Sequence, residues 1–286
     1  MKLVSFSVNG RSSFGVVKDD GVIELGRRFQ DRKIDTLRKF LAANQLPTAT
    51  RLLESEKADF KLVEIEFAPV ITDPDKIICI GLNYHDHVAE VGRAVTEKPA
   101  LFARWPASQV GHLQPILKPT ISDHFDYEGE LAVIIGKTGR HITPESALSH
   151  VAGYACYNEG SVRDWQRHTS QFIAGKTFAN SGSFGPWLVT SDEIVNPSGL
   201  KLETRLNGAV VQSSSTDKMI TDIPNLIAYC STILPLIAGD VLVTGTPSGV
   251  GLKRTPPLWM KAGDTVEVEI AGIGILRNSV EDEKAA

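Results

Sequence analysis

The chain has 286 residues, a net charge of -4, 42% hydrophobic residues and 22% charged residues. That length holds one large domain or two unequal ones around a substantial core. The acidic balance lacks the basic footprint of a nucleic-acid binder, although local basic residues remain for an anionic substrate.

The opening, MKLVSFSVNGRSS, turns polar too early for a signal peptide. It reads as short strands joined by hairpin turns at Asn9-Gly10 and Asp20-Gly21, pairs that supply the positive φ of tight turns. From Ile34 to Val63, apolar residues such as Leu37, Phe40, Leu41, Leu52 and Leu53 recur among charges, as in helix. Asp73-Pro74-Asp75 marks a turn before the apolar run Ile77–Ile80. The expected organisation is therefore a small N-terminal β/α domain over residues 1–70 and a larger domain over 71–286.

The larger part is expected to be strand-rich α+β. Strands are predicted over Lys76–Gly81, Glu128–Ile135, Val151–Tyr157, Leu200–Leu206, Asp240–Thr244 and Thr265–Ile270. Helices are predicted over Thr143–Leu148, behind a Thr cap, and over Ile223–Thr232. This is not the regular alternation of a doubly wound nucleotide fold. The apolar stretch STILPLIAGDVLVTG is broken by Pro235, Gly239 and Asp240, short of the roughly 20 residues that span a bilayer, so no membrane partner is expected. Cys79, Cys156 and Cys230 have no CxxC spacing and read as buried free thiols of a reducing, cytoplasmic compartment. The tail EDEKAA is expected to fray.

Three segments carry candidate chemistry. In DYEGELAVII, Glu128 and Glu130 are two apart and project from one face of a strand. Such a pair either repels across solvent or holds a hard cation, Mg²⁺, Mn²⁺ or Ca²⁺ in preference to zinc. In YNEGSVRD, Glu159 either completes a three-carboxylate site beside Arg163 or is a surface turn residue. In GLNYHDHVAE, His87 and Glu90 are three apart and share a helix face, where Glu90 can orient the imidazole as a general base. Gly175-Lys176-Thr177 is not a phosphate loop, because position 170 is Ser where that motif needs Gly. The turn TGTPSGVG after Val243 reads either as an anion-facing row of N–H groups or as a plain tight turn.

In this order the segments GLNYHDHVAE, ASQVG, DYEGELAVIIGK, VAGYACYNEGSVRDWQ, AGKTF, FGPWLVTSDEI, LIAYCSTILPLIAGDVLVTGTPSGVG and AGDTVEVEIAGIGILRN resemble the fumarylacetoacetate hydrolase family over about residues 76–280. The N-terminal module is similar to the small extra domain of longer bacterial members. The resemblance implies a mixed β-sheet roll, a homodimer, and Mg²⁺ or Mn²⁺ held by Glu128, Glu130 and Glu159. It also implies His87 and Glu90 as the water-activating pair on a mobile lid, with Arg163, Gln166, Lys176 and Thr246 against the substrate or its developing charge. One position departs from the family pattern: Glu159 stands where an Asp is usual, a side chain longer by one methylene, about 1.5 Å.

The expected reaction is hydrolysis of a carbon–carbon bond in a 2,4-dioxo acid, with Lys176 stabilising the enolate charge. The alternatives are decarboxylation or isomerisation of oxaloacetate or a related 2-oxo acid, and a non-catalytic oxo-acid-binding protein of the same fold.

Overall fold

The computed structural model describes residues 1–29 and 33–284. Its backbone is a twelve-stranded mixed sheet with a five-stranded sheet packed beside it. The main path of the large sheet runs in the order Phe60–Lys61, Gly21–Glu24, Arg11–Lys18, Lys2–Val8, Gly182–Thr190, Val151–Asn158, Gly129–Ile135, Val241–Val243, Ile77–Gly81, Ala100–Arg104, with Glu66–Phe67 joined to Lys2–Val8 and Gln109–Val110 to Gly182–Thr190. Most neighbours are antiparallel, but Val241–Val243 lies parallel to Ile77–Gly81. The smaller sheet orders Ala209–Ser215, Lys201–Leu206, Thr265–Ile270, Gly274–Asp282 and Ile116–Lys118. The strand-rich mixed architecture agrees with the α+β expectation.

The N-terminal strands join this sheet directly. Lys2 and Leu3 pair with Val189 and Leu188, and Phe14 and Ile23 share one apolar core with Ala132, Ile134 and Tyr157. The first turn follows the sequence, with Asn9 and Gly10 at φ 52° and 73°. The second is displaced by one residue: Asp19 takes φ 52°, and Gly21 already pairs with Lys18 in the ladder. Gly21 serves a different purpose, since a Cβ there would lie 2.6 Å from Ala58 Cβ and 2.7 Å from Phe60 O.

The helical stretch after Ile34 resolves into Leu37–Ala42 and Leu46–Ser55, broken where Asn44 turns left-handed at φ 52° and ended before the strand Phe60–Lys61. The helix after Thr143 is only Pro144–Ala147 followed by a 3₁₀ turn, and the Thr143 side chain does not cap it. Ile223–Ile233 is a full helix capped by Asp222, whose carboxylate accepts from the Asn225 N–H. The C-terminus frays less than expected: Glu281 and Asp282 pair with Leu117 and Lys118, while Ala285 and Ala286 lie outside the described residues. The sequence reading also missed Gly182–Thr190, a central strand whose Gly-Ser-Phe-Gly-Pro start mimics a turn. Its partner strand shifts register between Tyr154 and Cys156, a bulge beside Pro186, which has no N–H to give the ladder.

These layers converge on one point. The ends of Gly129–Ile135 and Val151–Asn158, the loop after Val243 and the helix His85–Val91 all meet around a single cavity.

Candidate active site

The floor of the cavity is made by strand register. Gly129 pairs with Asn158; Asn158 Oδ1 accepts the Glu128 N–H at 3.1 Å, and the Glu159 N–H donates to Glu128 O at 2.8 Å. This interlock aims three carboxylates at one place. Glu128, Glu130 and Glu159 are all buried, and one oxygen from each lies within 4.8 Å of the others.

Cations hold two of the three. Lys176 Nζ donates to Glu128 Oε2 at 2.5 Å and to Glu159 Oε2 at 2.6 Å, and Arg163 Nη2 lies 2.7 Å from Glu128 Oε1. Burial works against a charged Glu128, but Arg163 and Lys176 hold its carboxyl well below the usual carboxylate range. Glu130 goes the other way: burial, then Glu159 and Glu128, push it well above that range. Its Oε2 accepts the Gly245 N–H at 2.5 Å, and Glu159 Oε1 is buried with no partner. A buried carboxylate oxygen without a donor is costly. Asp126, Glu128, Glu130 and Glu159 face two cations, Arg163 and Lys176, in this contact set. The orphaned oxygen, the crowding around Glu130 and the all-oxygen donor set fit a divalent hard cation.

The cavity above this floor measures about 420 Å³ and is lined by every residue named from the sequence except Glu90. His87 is buried in its wall, with Nδ1 3.1 Å from Glu90 Oε2. Glu90 Oε1 accepts the Gly249 N–H at 2.9 Å, and Asp86 Oδ2 accepts the Ser248 hydroxyl at 2.8 Å. The helix His85–Val91 is therefore latched onto the glycine-rich turn, and it ends at Gly92, whose φ of 70° gives a left-handed stop. Three N–H groups of that turn are committed to protein carboxylates. Gly245 serves Glu130, Gly249 serves Glu90, and Gly251 serves Asp126.

Arg163 Nε donates to Asp126 Oδ2 at 2.7 Å and Nη1 to Gln166 Oε1 at 3.0 Å, while Nη2 has no aligned hydrogen bond. Lys176 keeps a third N–H beyond the two it gives the glutamates. Thr246 Oγ1 donates to Gly129 O and accepts from Gln212 Nε2, so its hydroxyl ties the turn to the glutamate strand.

Three supporting residues escaped the sequence reading. Asp126 is fully buried and fixes Arg163 and the Gly251 and Leu252 N–H groups together. Its two-residue spacing from Glu128 was a usable signal. Gln212 clamps Gly129 N to Thr246 and Pro247, and Arg104 holds Gly160 O and Ser181 Oγ behind Glu159. Nothing local in the sequence marks either.

The fumarylacetoacetate (FAA) hydrolase C-terminal family model matches residues 76–281. The chain belongs to the fumarylacetoacetate hydrolase family. It is 40% identical over 263 residues to the mitochondrial oxaloacetate tautomerase Fahd2a of Rattus norvegicus, spanning 91% of this chain and 84% of that protein. A fumarylacetoacetate hydrolase from psychrophilic Exiguobacterium antarcticum superposes with a TM-score of 0.83 at 35% identity, covering 99% of this chain and all of that one. A maleylpyruvate hydrolase from Sphingobium sp. SYK-6, solved with manganese(II) and pyruvate, gives 0.82 at 25% identity with the same coverage. Family members are enzymes, both hydrolases and tautomerases, and the manganese complex together with the buried glutamates supports divalent-metal binding in this chain. Among the described residues, no helix is long and apolar enough to cross a membrane.

Proposed function

We propose that this protein hydrolyses a carbon–carbon bond of a 2,4-dioxo acid, releasing a carboxylic acid and a 2-oxo acid. The observation that carries the reading is the His87–Glu90 pair, set in the wall of a cavity floored by three carboxylates. Glu128, Glu130 and Glu159 would hold Mg²⁺ or Mn²⁺, which when bound supplies Lewis-acid polarisation of the 2-oxo acid.

The chain's own residues do the rest. Glu90 fixes the ring through Nδ1, so His87 takes a proton from water at Nε2, and that water attacks the distal carbonyl. The carbon–carbon bond breaks with its electron pair passing to the pyruvate fragment as an enolate. His87 then returns the proton to that fragment's carbon. The remaining N–H of Lys176 serves the developing negative charge, and Arg163, held by Glu128, Asp126 and Gln166, adds its positive field behind it. Thr246 keeps the glycine-rich turn in register with the floor. A homodimer in the cytoplasm is part of the same proposal, and a sedimentation mass of twice the chain tests its first half.

A second reading, tautomerisation of oxaloacetate, is favoured by the 40% identity to the rat protein. It needs proton transfer at one carbon and no attacking water. Acetylpyruvate and oxaloacetate, each with Mg²⁺ or Mn²⁺, separate the two. Loss of the diketone absorbance with release of acetate and pyruvate supports hydrolysis. Accelerated enol–keto conversion of oxaloacetate with an unchanged acetylpyruvate spectrum would replace it with tautomerisation. Pyruvate from oxaloacetate above the metal-only blank would identify a decarboxylase.

A further inference from the structure

The mechanism depends on where Glu90 sits, and Glu90 depends on one backbone amide. Its Oε1 accepts the Gly249 N–H at 2.9 Å, while its Oε2 lies 3.1 Å from His87 Nδ1. Gly249 has φ 101°, a conformation open to glycine and strained for other residues. With no side chain to hold its own peptide planes, the direction of its N–H is set from outside. A Cβ at this position would lie 2.2 Å from Val211 O, so the turn is pressed closely against the strand Ala209–Ser215.

Two side chains hold it there. The Tyr127 hydroxyl donates to Gly249 O at 3.1 Å. Arg254 Nε is shared between the Tyr127 hydroxyl at 3.1 Å and Gly249 O at 3.3 Å, and its Nη2 donates to Val211 O at 2.5 Å. One guanidinium thus bridges the turn, the tyrosine and the strand on which the turn rests. Both residues are anchored. The Tyr127 ring is buried in a core with Phe125, Val162 and Met260. The Arg254 N–H bonds Gly251 O at 3.2 Å, and the same oxygen accepts the Leu258 N–H at 2.9 Å. Neither side chain lines the cavity. Tyr127 also sits between Asp126, which holds Arg163, and Glu128 of the floor. One stretch of chain therefore sets the floor and the His87–Glu90 pair in a common register.

We propose that Arg254 and Tyr127 are positioning residues for the His87–Glu90 pair. The inference rests on that pair acting as the general base of the proposed hydrolysis. Freed from the clamp, the Gly249 peptide turns, Glu90 loses its donor, and the imidazole leaves the line of the attacking water. A misplacement of about 1 Å caused far from the chemistry can cost about 10²-fold in rate. The floor glutamates keep their own partners, Lys176 and the Gly245 N–H, so metal and substrate binding are spared.

The test is steady-state hydrolysis of acetylpyruvate with Mn²⁺, joined to Mn²⁺ titration and to NMR of the Mg²⁺-loaded protein. Arg254→Met is expected to lower kcat about 10- to 100-fold, with KM and Mn²⁺ affinity within about twofold of wild type. Arg254→Lys keeps the charge but not the fork, and is expected to recover little. Tyr127→Phe is expected to lose about threefold, because Arg254 keeps its contact with Gly249 O, and it carries the test if Arg254→Met does not fold. In the NMR arm, the Nδ1 proton sheltered by Glu90 gives a downfield line, absent from His87→Gln, that broadens in both variants through faster exchange with water. An unchanged kcat, or losses in kcat that track losses in metal affinity, overturn the positioning role. A wild type inactive on acetylpyruvate fails the hydrolase reading alone, and the NMR line then decides. Broadening in the variants upholds the clamp; an unchanged line, or no line in wild type, overturns it.

Discussion

Glu159 stands where the resemblance leads one to expect an Asp, and its two oxygens lead different lives. Oε2 is held by Lys176, and Oε1 is buried without a donor. The extra methylene therefore does not carry the carboxylate away from its neighbours. A ligand that arrives on a longer arm meets the strict octahedron of Mg²⁺ less easily than the looser shell of Mn²⁺. Glu159→Asp is expected to improve Mg²⁺ affinity relative to Mn²⁺, and Glu159→Gln to weaken both, read by calorimetry. Unchanged affinities in Glu159→Gln would remove this residue from the ligand set. Lys176 offers a complementary check in the metal-free protein. It is buried between Glu128 and Glu159, so Lys176→Met leaves two buried carboxylates short of a counter-charge. Breaking such a pair costs about 3–5 kcal/mol, measurable by urea unfolding. Mn²⁺ is expected to restore more stability to the variant than to the wild type, because the cation then replaces the lost charge.

At the scale of elements, the helix His85–Val91 is a short piece held by its side chains. Two of its acids meet the glycine-rich turn, Asp86 at Ser248 and Glu90 at Gly249. Ser248→Ala is expected to speed hydrogen exchange across residues 85–91 while leaving global unfolding within about 0.5 kcal/mol. Equal exchange in the two proteins would mean that the Ser248 hydroxyl does not help to latch the helix and that the Gly249–Glu90 contact holds it alone. This helix and the glutamate strand were legible in the sequence because their chemistry sits in contiguous segments: His87 with Glu90, and Glu128 with Glu130. Gln212 and Arg104 were not, because each acts across the fold, and a lone buried Gln or Arg has no local spacing to betray it. The same limit applied to strands. Thr265–Ile270 alternates cleanly and was placed to the residue, whereas Gly182–Thr190 begins with turn-forming residues and gains its strand character from the neighbours on either side.

Over the whole molecule, one half-buried histidine gives stability a pH dependence unrelated to the active site. His112 packs edge-on against Phe67 at 4.9 Å, and its Nδ1 accepts the Arg277 N–H at 3.1 Å. Burial, with Arg277 nearby, lowers its pKa to about 4. The unfolded chain, with an ordinary histidine near 6.5, then binds the extra proton first. The folded state keeps this contribution above pH ~6.5 and loses it as pH falls toward about 4. Because the ring is partly exposed, the loss is set at about 1–2 kcal/mol. His112→Gln retains an acceptor for Arg277 and is expected to flatten the acid side of the stability profile by that amount. Parallel wild-type and variant profiles between pH 6.5 and 4.5 would refute the assignment.

The seam between Lys2–Leu3 and Leu188–Val189 has a consequence in time. The strand Lys2–Val8 has as its partner a strand made some 180 residues later, roughly 10–40 s at ordinary synthesis rates. Until then the hairpin presents an unpaired edge at Lys2 and Leu3, and the core of Leu3, Phe14 and Ile23 is covered by Leu37 and Phe40 but lacks Ala132, Ile134, Tyr157 and Leu188 in part or whole. Such long-range pairing is slow to form and exposed to aggregation while it waits. A nascent chain stalled before residue 182 would therefore engage holding chaperones through the strands of residues 2–24 and release them once Gly182–Thr190 emerges.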